Sequence, residues 1–352
     1  MIRVAIANDT LIALSALQRV IATDSTYKLI WSARDGHQAV ALCEQDTPDI
    51  VLMDLRMPGQ DGVEATRQIM ARSPCAILIV TGSIEHNTSK IFEAMGYGAL
   101  DVVATPVFGM LNTDNSIREA AKPLLNKMAT VTAFIGKSIR QKQASPFSPR
   151  SPAAISHLPP LVVIGASTGG PSAIAHILKA LPKTFPAAIV IVQHIDQQFT
   201  LSLAKWLDNQ SSLPVRVAQA GDSVRSHQVY ISKGGHHLVM ERDQTLQYVS
   251  SRVDTPYRPS VDVFFNSVAR HWPKAGQAIL LTGMGKDGAA GLGELRSAHW
   301  QTVAESKESC VVYGMPKAAI EANAAREVLS IDQIPQRLIE TLSLLQPQTP
   351  TI

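Results

Sequence analysis

The chain has 352 residues, of which 45% are hydrophobic and 17% are charged, and this length predicts about two domains, each with its own core. Its formal net charge of +3 is small for this length, so the composition excludes a strong electrostatic attraction to nucleic acid. No uninterrupted apolar run approaches the roughly 18 residues of a membrane span, so we expect no membrane insertion.

The first half of the chain alternates apolar runs with helical patterns. The predicted strands span residues 2–7, 28–33, 49–54, 76–81 and 99–105, and the predicted helices lie near residues 11–22, 37–45, 62–71 and 87–96. Because the strands are too continuously apolar to have a face in water, they predict a parallel sheet covered by helices on both sides. Apolar residues from Ile117 to Ile135 then recur at helical spacing, with Pro123 either in the first turn of that helix or at a kink.

Polar side chains follow the ends of these strands. Asp9 follows the first strand, Asp54 ends the third, Thr81 ends the fourth and Thr105 follows the fifth. Ligands bind at the carboxyl ends of the strands in sheets of this kind, and carboxylates that meet there resist ionisation unless a cation such as Mg²⁺ neutralises them. A carboxylate held in this way can also accept a phosphoryl group. The alternative is that Asp9 and Asp54 only cap turns, but the agreement of four strand ends favours the phosphate site.

A linker separates the two halves of the chain. Residues 145–160 read SPFSPRSPAAISHLPP, in which nine of sixteen positions are Ser or Pro, so neither a helix nor an inner strand can continue through them. We therefore expect a first domain at residues 1–122, a helix and linker at 123–157, and a second domain at 158–346.

Alternation of strands and helices resumes after the linker. The predicted strands span residues 161–167, 187–194, 215–220, 228–232 and 277–284, and the predicted helices lie near residues 171–181, 199–208 and 261–271. This pattern predicts a second doubly wound, mostly parallel α/β/α domain.

The segment LVVIGASTGG, residues 161–170, allows three interpretations. A dinucleotide-binding loop needs G-x-G-x-x-G, but Ser167 stands where the second glycine would approach a pyrophosphate, and a P-loop needs a Gly-Lys-Ser/Thr sequence that the segment lacks. The spacing G-x-S-x-G is typical of a nucleophilic serine on a sharp strand-to-helix turn. A serine that only caps the helix is the remaining alternative.

Two other strand ends supply the partners that a nucleophilic serine needs. A serine hydroxyl reacts poorly near neutral pH without a base, and His194 ends the strand at residues 187–194. Asp287 follows the strand at 277–284, in the glycine-rich loop of LLTGMGKDGAAGL, where a carboxylate would fix the imidazole tautomer. The pattern predicts a Ser167, His194 and Asp287 triad, in a chain order that differs from that of α/β-hydrolases.

The first half resembles a two-component receiver domain. The segment DIVLMDLRMPGQDG, with Asp9 before it and Thr81 after it, carries this resemblance. It implies a flavodoxin-like fold with a five-stranded parallel sheet, in which Asp54 accepts phosphate from a CheA-type histidine kinase. It also implies that Asp9, Asp54 and the backbone carbonyl of Arg56 hold Mg²⁺, and that the Thr81 hydroxyl moves to meet the phosphate.

Two positions depart from the common receiver pattern. Asn8 stands where many receivers have a second acidic residue, and Thr105 stands where they have a lysine. The missing lysine removes a cation that would pair with the phosphoryl group, so we expect phosphorylation with altered switching, and a constitutive clamp is the alternative. The segments IANDT and DVVATP resemble the Wsp-type branch, in which a receptor array controls a cyclic-di-GMP signal.

The second half resembles the chemotaxis protein-glutamate methylesterases of the CheB family, through VIGASTGGP, VQH, RPSVDVFFNSVA, LLTGMGKDGAAGL and VVYGMPKAA. The resemblance implies that Ser167 is the nucleophile, His194 the general base and Asp287 its orienting partner. The Met284 backbone N–H would line the oxyanion hole, with Thr168 beside the serine, and no cofactor would be needed for the ester reaction.

The same resemblance implies the substrate and the partners. The substrates would be methyl-accepting chemoreceptors, whose cytoplasmic helices carry glutamate methyl esters that are hydrolysed with release of methanol, and receptor glutamines would be deamidated in the same way. The alternative is a phosphorylation-switched module that binds receptor or kinase and has a vestigial triad.

The remaining candidate residues receive simpler interpretations. The three cysteines, Cys43, Cys75 and Cys310, have no metal-binding spacing, and their scarcity predicts a reducing compartment, the cytoplasm. His236 and His237 have no partner at metal spacing, so we expect them to pack or to lie at the edge of the cleft.

Overall fold

The computed structural model describes residues 1–82, 84–108, 114–136, 158–249 and 257–343. The chain forms two compact units, Met1–Gln143 and Ala144–Ile352, and the described part of each has its own hydrophobic core. Both units are α/β, as the two alternating patterns predict.

The first unit is a five-stranded parallel sheet with helices packed against it. Its strands are β1 (Ile2–Ala7), β2 (Tyr27–Ala33), β3 (Ile50–Met53), β4 (Ala76–Thr81) and β5 (Asp101–Ala104). Its helices are α1 (Leu11–Ala22), α2 (Gly36–Gln45), α3 (Gly62–Arg72), α4 (Ile84–Gly96) and α5 (Asp114–Gly136).

The strand order β2-β1-β3-β4-β5 brings the predicted polar residues to one edge of this sheet. Strand β1 pairs with β2 on one side and β3 on the other, and all pairs are parallel. Ala7 is in register with Met53, so Asp9 and Asp54 follow neighbouring strands at the point where the strand order reverses, which is the position where such sheets bind ligands. The receiver-like architecture that the sequence predicts is confirmed.

Helix α5 belongs to the core of the first unit. Its Leu124, Met128 and Val131 are buried with side chains of α1 and the sheet, because its apolar residues share one face. The boundary predicted after residue 122 therefore falls inside a continuous helix. Pro123 also lies well inside α5, so it is not in the first turn. The rest of the predicted linker, up to residue 157, lies outside the described residues, as does the predicted end of the second domain at residue 346.

The second unit contains a seven-stranded sheet, a three-stranded sheet and helices. Its strands are β6 (Leu161–Ala166), β7 (Ala188–Gln193), β8 (Val215–Val217), β9 (Asp222–Ser223), β10 (Val229–Ile231), β11 (His237–Met240), β12 (Thr245–Val249), β13 (Gln277–Leu280), β14 (Gln301–Glu305) and β15 (Glu327–Leu329). Its helices are α6 (Gly170–Ala180), α7 (Thr200–Gln210), α8 (Val261–His271), α9 (Ala289–Ser297), α10 (Met315–Glu321) and α11 (Gln333–Ser343), and a short 3₁₀ helix spans Gln197–Phe199.

The large sheet is parallel throughout and has the order β15-β14-β13-β6-β7-β10-β8. All six residues of its central strand β6 are buried. Strands β11, β12 and β9 form the separate antiparallel sheet. The doubly wound, mostly parallel fold is confirmed, and the antiparallel sheet is an addition that the sequence pattern does not predict.

The order of the large sheet also sets the place of the site. The chain passes from β6 to β7 on one side, and β13 later pairs with β6 on the other, so the carboxyl ends of these three strands meet at a switch point. Among the described residues, no helix combines the length and the apolar character that crossing a bilayer requires.

Candidate active site

Ser167 lies on the short turn that joins β6 to α6. Its N–H donates to the Thr282 carbonyl (3.1 Å), and its carbonyl accepts from the Gly170 N–H (2.8 Å). Gly169 has a φ of 79°, and a Cβ added there would lie 2.6 Å from Val311 Cβ, so the turn needs a glycine at this position. The left-handed residue of this turn is thus Gly169.

His194 follows the neighbouring strand at the same level. Ala166 is in register with Gln193, and the His194 N–H donates to the Ala166 carbonyl (3.0 Å), so Ser167 and His194 come directly after paired residues. The imidazole Nε2 donates to Asp287 Oδ2 (2.7 Å). Because an ionised carboxylate only accepts hydrogen bonds, Nε2 carries the proton of the neutral imidazole and Nδ1 is left as the basic nitrogen.

Asp287 is buried at the N-terminus of α8 and is only 4% exposed. Besides His194, its carboxylate accepts from the Ser260 hydroxyl (2.8 Å), the Val261 N–H (2.6 Å) and the Asp262 N–H (3.1 Å). Burial alone would raise the pKa of Asp287, but the hydrogen bonds from His194, the Ser260 hydroxyl and the Val261 N–H together hold that pKa below its usual value. The carboxylate is therefore ionised and fixed toward the imidazole.

An aromatic ring covers the imidazole. The Tyr257 ring stacks on His194 with the ring centroids 4.7 Å apart and the planes 7° from parallel. Burial raises the pKa of the Tyr257 hydroxyl, and the charges of Asp287 and Asp262 raise it further. Stacking limits the rotation of the imidazole, so Tyr257 is a contact of the site that the sequence patterns did not reveal.

Among the described residues, the hydrogen bonds of Ser167 are made by its backbone N–H and carbonyl. Its hydroxyl is left for a substrate, and catalytic hydrogen bonds often form only when substrate binds. Its surroundings supply unused amides. A Cβ added at Gly283 would lie 2.7 Å from Ser167 Cβ, so the loop that continues into Met284 runs directly against the serine. The N–H groups of Met284 and Thr168 donate to no acceptor in the described part of the chain. Both amides are available to an oxyanion.

In the first unit, Asp54 lies at the switch point of the sheet. Asn8 Nδ2 donates to its Oδ2 (3.1 Å), and the Leu55 N–H donates to its Oδ1 (2.7 Å). Burial and the nearby charge of Asp9 raise the pKa of Asp54 to about 6, although the amides of Arg56 and Leu55 oppose the rise. The described residues contain no cluster of three or more His, Cys, Asp or Glu that could hold a metal ion, so an ion here would need backbone or water oxygens as well.

Thr81 ends the next strand, and its hydroxyl is already engaged. Asn87 Nδ2 donates to Thr81 Oγ1 (2.8 Å), and Arg56 Nε donates to Asn87 Oδ1 (2.6 Å). The Thr81 oxygen acts as an acceptor here, so its own proton can point elsewhere. The Thr105 N–H donates to the Thr81 carbonyl (3.0 Å), which places the residue at the lysine position beside the same site. Asn87 is a contact that strand-end reasoning misses, because it comes from within α4.

Comparison with known proteins adds the family to this geometry. Residues 162–338 match the sequence profile described as CheB methylesterase, and residues 4–109 match the one described as Response regulator receiver domain. A protein named "Protein-glutamate methylesterase/protein-glutamine glutaminase 1" from Pseudomonas fluorescens (strain Pf0-1) is 46% identical over 96% of this chain and 98% of its own length. The chain belongs to the CheB methylesterase family.

Two further comparisons support the assignment to the CheB family. A "Protein-glutamate methylesterase/protein-glutamine glutaminase 3" from Pseudomonas aeruginosa is 46% identical over 96% of this chain and 99% of its own length. The crystal structure of the Thermotoga maritima CheB methylesterase catalytic domain, 42% identical, covers 52% of this chain and 98% of that chain with a TM-score of 0.50. These matches do not separate branches of the CheB family, so the Wsp-type assignment stays a prediction.

One more residue ties the two strand ends of this CheB-family site together. Gln193 is 2% exposed, and its Nε2 donates both to the Ser167 carbonyl (2.8 Å) and to the His194 carbonyl (2.9 Å). A Cβ added at Gly170 would lie 2.1 Å from Gln193 Oε1, so the glycine leaves room for the amide. The signal in the sequence is one polar residue at the end of an apolar strand, next to His194.

Proposed function

We propose that the chain is a phosphorylation-regulated protein-glutamate methylesterase that hydrolyses glutamate methyl esters on chemoreceptors and also deamidates receptor glutamines. The observation that carries the proposal is the 2.7 Å bond from His194 to the buried Asp287, at the strand end next to Ser167. Both activities appear in the names of relatives that are 46% identical over nearly the whole chain.

In the proposed reaction, Ser167 Oγ attacks the ester carbonyl and its proton passes to His194 Nδ1. The oxyanion of the tetrahedral intermediate accepts hydrogen bonds from the Met284 and Thr168 amides, each worth roughly 3 kcal/mol in comparable enzymes. The C–O bond to the methoxy group breaks, and methanol leaves with the proton from His194. Water then attacks the acyl-enzyme, gives a proton to His194 and frees the glutamate, while Ser167 regains its proton. Glutamine follows the same path with ammonia as the leaving group.

Asp287 and Tyr257 act on the base in this scheme. The carboxylate stabilises the imidazolium that forms when the serine proton is transferred, and its three other donors keep it from rotating away. Tyr257 holds the ring plane by stacking. Their joint effect is to keep Nδ1 of His194 free for the proton of Ser167.

The first unit supplies the regulation in this proposal. A CheA-type histidine kinase would transfer phosphate to Asp54, with Mg²⁺ held by Asp9, Asp54 and the Arg56 backbone carbonyl. The residues fit such an ion, because burial and the charge of Asp9 raise the pKa of Asp54 to about 6 and a divalent cation would remove that excess of negative charge. Bound Mg²⁺ would supply charge neutralisation for the transferred phosphoryl group. The Thr81 hydroxyl, engaged by Asn87, would turn toward the new phosphate.

We also propose that the protein acts in the cytoplasm, on the cytoplasmic helices of methyl-accepting chemoreceptors. All three cysteines are unpaired, which is typical of a reducing compartment.

Methanol release from a methylated receptor fragment tests the function. The full chain should release methanol, and the Ser167→Ala variant should release it no faster than the fragment alone. Equal rates for the two proteins would contradict the esterase activity and favour the alternative, a phosphorylation-switched binding module.

A further inference from the structure

Two buried residues lie beside Asp287 and belong to no predicted site. Ser260 is the N-cap of α8, and His237 begins β11 in the small antiparallel sheet; each is 1% exposed. We propose that Ser260 and His237 are positioning residues that hold the Asp287 carboxylate in one orientation toward His194, and so set the rate of ester hydrolysis. This inference rests on the function proposed above.

The Ser260 hydroxyl directs its proton to Asp287. Its Oγ accepts from the Val263 N–H (3.3 Å), as an N-cap does, and lies 2.8 Å from Asp287 Oδ1. A hydroxyl has one proton, and the Val263 amide brings its own, so the Ser260 proton goes to the carboxylate. The Ser260 hydroxyl therefore both caps α8 and donates to Asp287. Hydrogen bonds to an ionised carboxylate are about twice as strong as those between neutral groups.

His237 holds the residue that supports Asp287. Its Nδ1 accepts from the Ser260 N–H (3.2 Å), so the proton of the imidazole lies on Nε2. That Nε2 is buried and has no hydrogen-bond partner among the described residues. Burial and the charge of Arg258 lower the pKa of His237, which keeps the ring neutral. An apolar side chain would fill the same space without a buried unpaired nitrogen, so the useful feature of this imidazole is its acceptor for Ser260.

A second carboxylate explains why Asp287 needs this support. Asp262 accepts from the Gly291 N–H (2.7 Å), and burial together with the charge of Asp287 raises the pKa of Asp262 to about 7. A buried carboxylate and a half-buried one beside it compete for one negative charge, and the donors around each decide which of them stays ionised. Ser260 favours charge on Asp287, the carboxylate that contacts His194.

Loss of the Ser260 donor should therefore be visible in the pH dependence of the rate. The titratable or charged groups that interact with Asp287 in the described chain are His194, Asp262, Tyr257 and His237, and Arg258 acts on His237 in turn. All five remain in a Ser260→Ala variant. With one donor fewer, the Asp287 carboxylate is less stabilised, so either Asp287 or the His194 imidazole beside it is protonated more readily. Hydrolysis should then fall off at a higher pH on the acid side of the pH–rate profile.

The test measures kcat and KM for methanol release by the full chain across a pH series. Ser260→Ala should lower kcat by about tenfold with little change in KM. The acid limb of the pH–rate profile, where the rate falls as the pH is lowered, should shift to a higher pH by about half a unit or more. His237→Leu should lower kcat in the same direction. His237→Asn should restore most of it, because the amide Oδ1 can replace Nδ1 as the acceptor for Ser260.

The matched control is the loss of another helix cap. Asp35 is the N-cap of α2 in the first unit, where it accepts from the Gln38 N–H (2.8 Å). Asp35→Ala also removes the N-cap of a helix. It should therefore lower thermal stability, while kcat, KM and the acid limb of the pH–rate profile stay as in the parent.

Three results would overturn the inference. The first is kinetics of a folded Ser260→Ala within about twofold of the parent. The second is a lower kcat with an unmoved acid limb, which would reduce Ser260 to a helix cap. The third is equal activity of His237→Leu and His237→Asn, and this pair decides the question if Ser260→Ala does not fold. A parent that releases no more methanol than Ser167→Ala would instead contradict the proposed function.

Discussion

Replacing Asp54 with asparagine should stabilise the first unit at neutral pH when magnesium is absent. The site disfavours the ionised carboxylate, because burial and Asp9 raise the pKa of Asp54 from an ordinary 3.8 to about 6. A shift of about two units corresponds to about 3 kcal/mol in full, and screening of this partly exposed group reduces the expected gain to about 1–2 kcal/mol. Asparagine keeps the shape of the side chain and removes its charge.

The gain should depend on pH in a defined direction. A raised carboxyl pKa makes the folded state bind its proton more tightly than the unfolded state does, so the cost to the parent is present above pH 6 and disappears as the pH falls toward 3.8. The advantage of Asp54→Asn should therefore be full at pH 7–8 and absent near pH 4. Mg²⁺ should raise the stability of the parent more than that of the variant, because it pairs with the charge that the variant lacks.

Calorimetry of the full chain, with a chelator or with Mg²⁺, measures these differences. The expected gain corresponds to roughly 3–6 °C in the unfolding temperature of a unit of this size. Asp24→Asn is the matched control: hydrogen bonds from Thr26 lower the pKa of Asp24, so the same chemical change there should cost stability slightly and should not respond to Mg²⁺. An Asp54→Asn variant no more stable than the parent in chelator, or equally advantaged in Mg²⁺, would refute the charge argument.

Other predictions concern the esterase site and its regulation. Asp287→Asn should lower kcat by about 10³–10⁴-fold, because an amide NH₂ turned toward His194 cannot accept its Nε2 proton; a loss below tenfold in the methanol assay would contradict this. Gln193→Met should lower kcat/KM by about tenfold or more with the fold intact, since the Ser167 and His194 carbonyls lose a shared donor, and an unchanged value would leave Gln193 a packing role only. A small phosphodonor with Mg²⁺ should raise methanol release by the full chain and leave the rate of Asp54→Asn unchanged; an equal rise in both would place the effect outside Asp54.

The strand ends were the part of the site that the sequence could predict. In a parallel sheet the carboxyl ends of neighbouring strands lie at one edge, so Ser167, His194 and Asp287 could be brought together from apolar runs that each stop at a polar residue. The same reasoning brought Asp9 to Asp54. The structure brings both groups together, through the register of Ala166 with Gln193 and of Ala7 with Met53.

The contacts that support the strand-end residues could not be predicted from the sequence, and the reason is physical. Tyr257 stacking on His194, Ser260 donating to Asp287 and Asn87 donating to Thr81 depend on where a loop, a helix cap and a helix face lie relative to a strand end. No periodic pattern encodes that placement. His237 was expected to pack or to lie at the edge of the cleft, because a buried imidazole that accepts one backbone N–H has no spacing signature.

The remaining differences from the sequence predictions concern short strands and the helix at the first predicted boundary. Strand β9 has two residues. In the described part of the chain β12 pairs with β11 and with β9, and these three strands make a small sheet that a search for long apolar runs passes over. The predicted boundary after residue 122 falls inside α5, which stays continuous through Pro123 while its Leu124 and Met128 are buried in the core.

The central claim is that Ser167, His194 and Asp287 act as one unit on a receptor methyl ester. The most direct measurement is kcat/KM for methanol release from a methylated receptor fragment by the parent, Ser167→Ala, His194→Ala and the double variant. When groups act in one relay, the losses caused by removing them do not add. Each single variant should therefore lose nearly all activity, and the double variant should be about as active as the less active single variant. Losses that multiply in the double variant, or a single variant as active as the parent, would contradict the account.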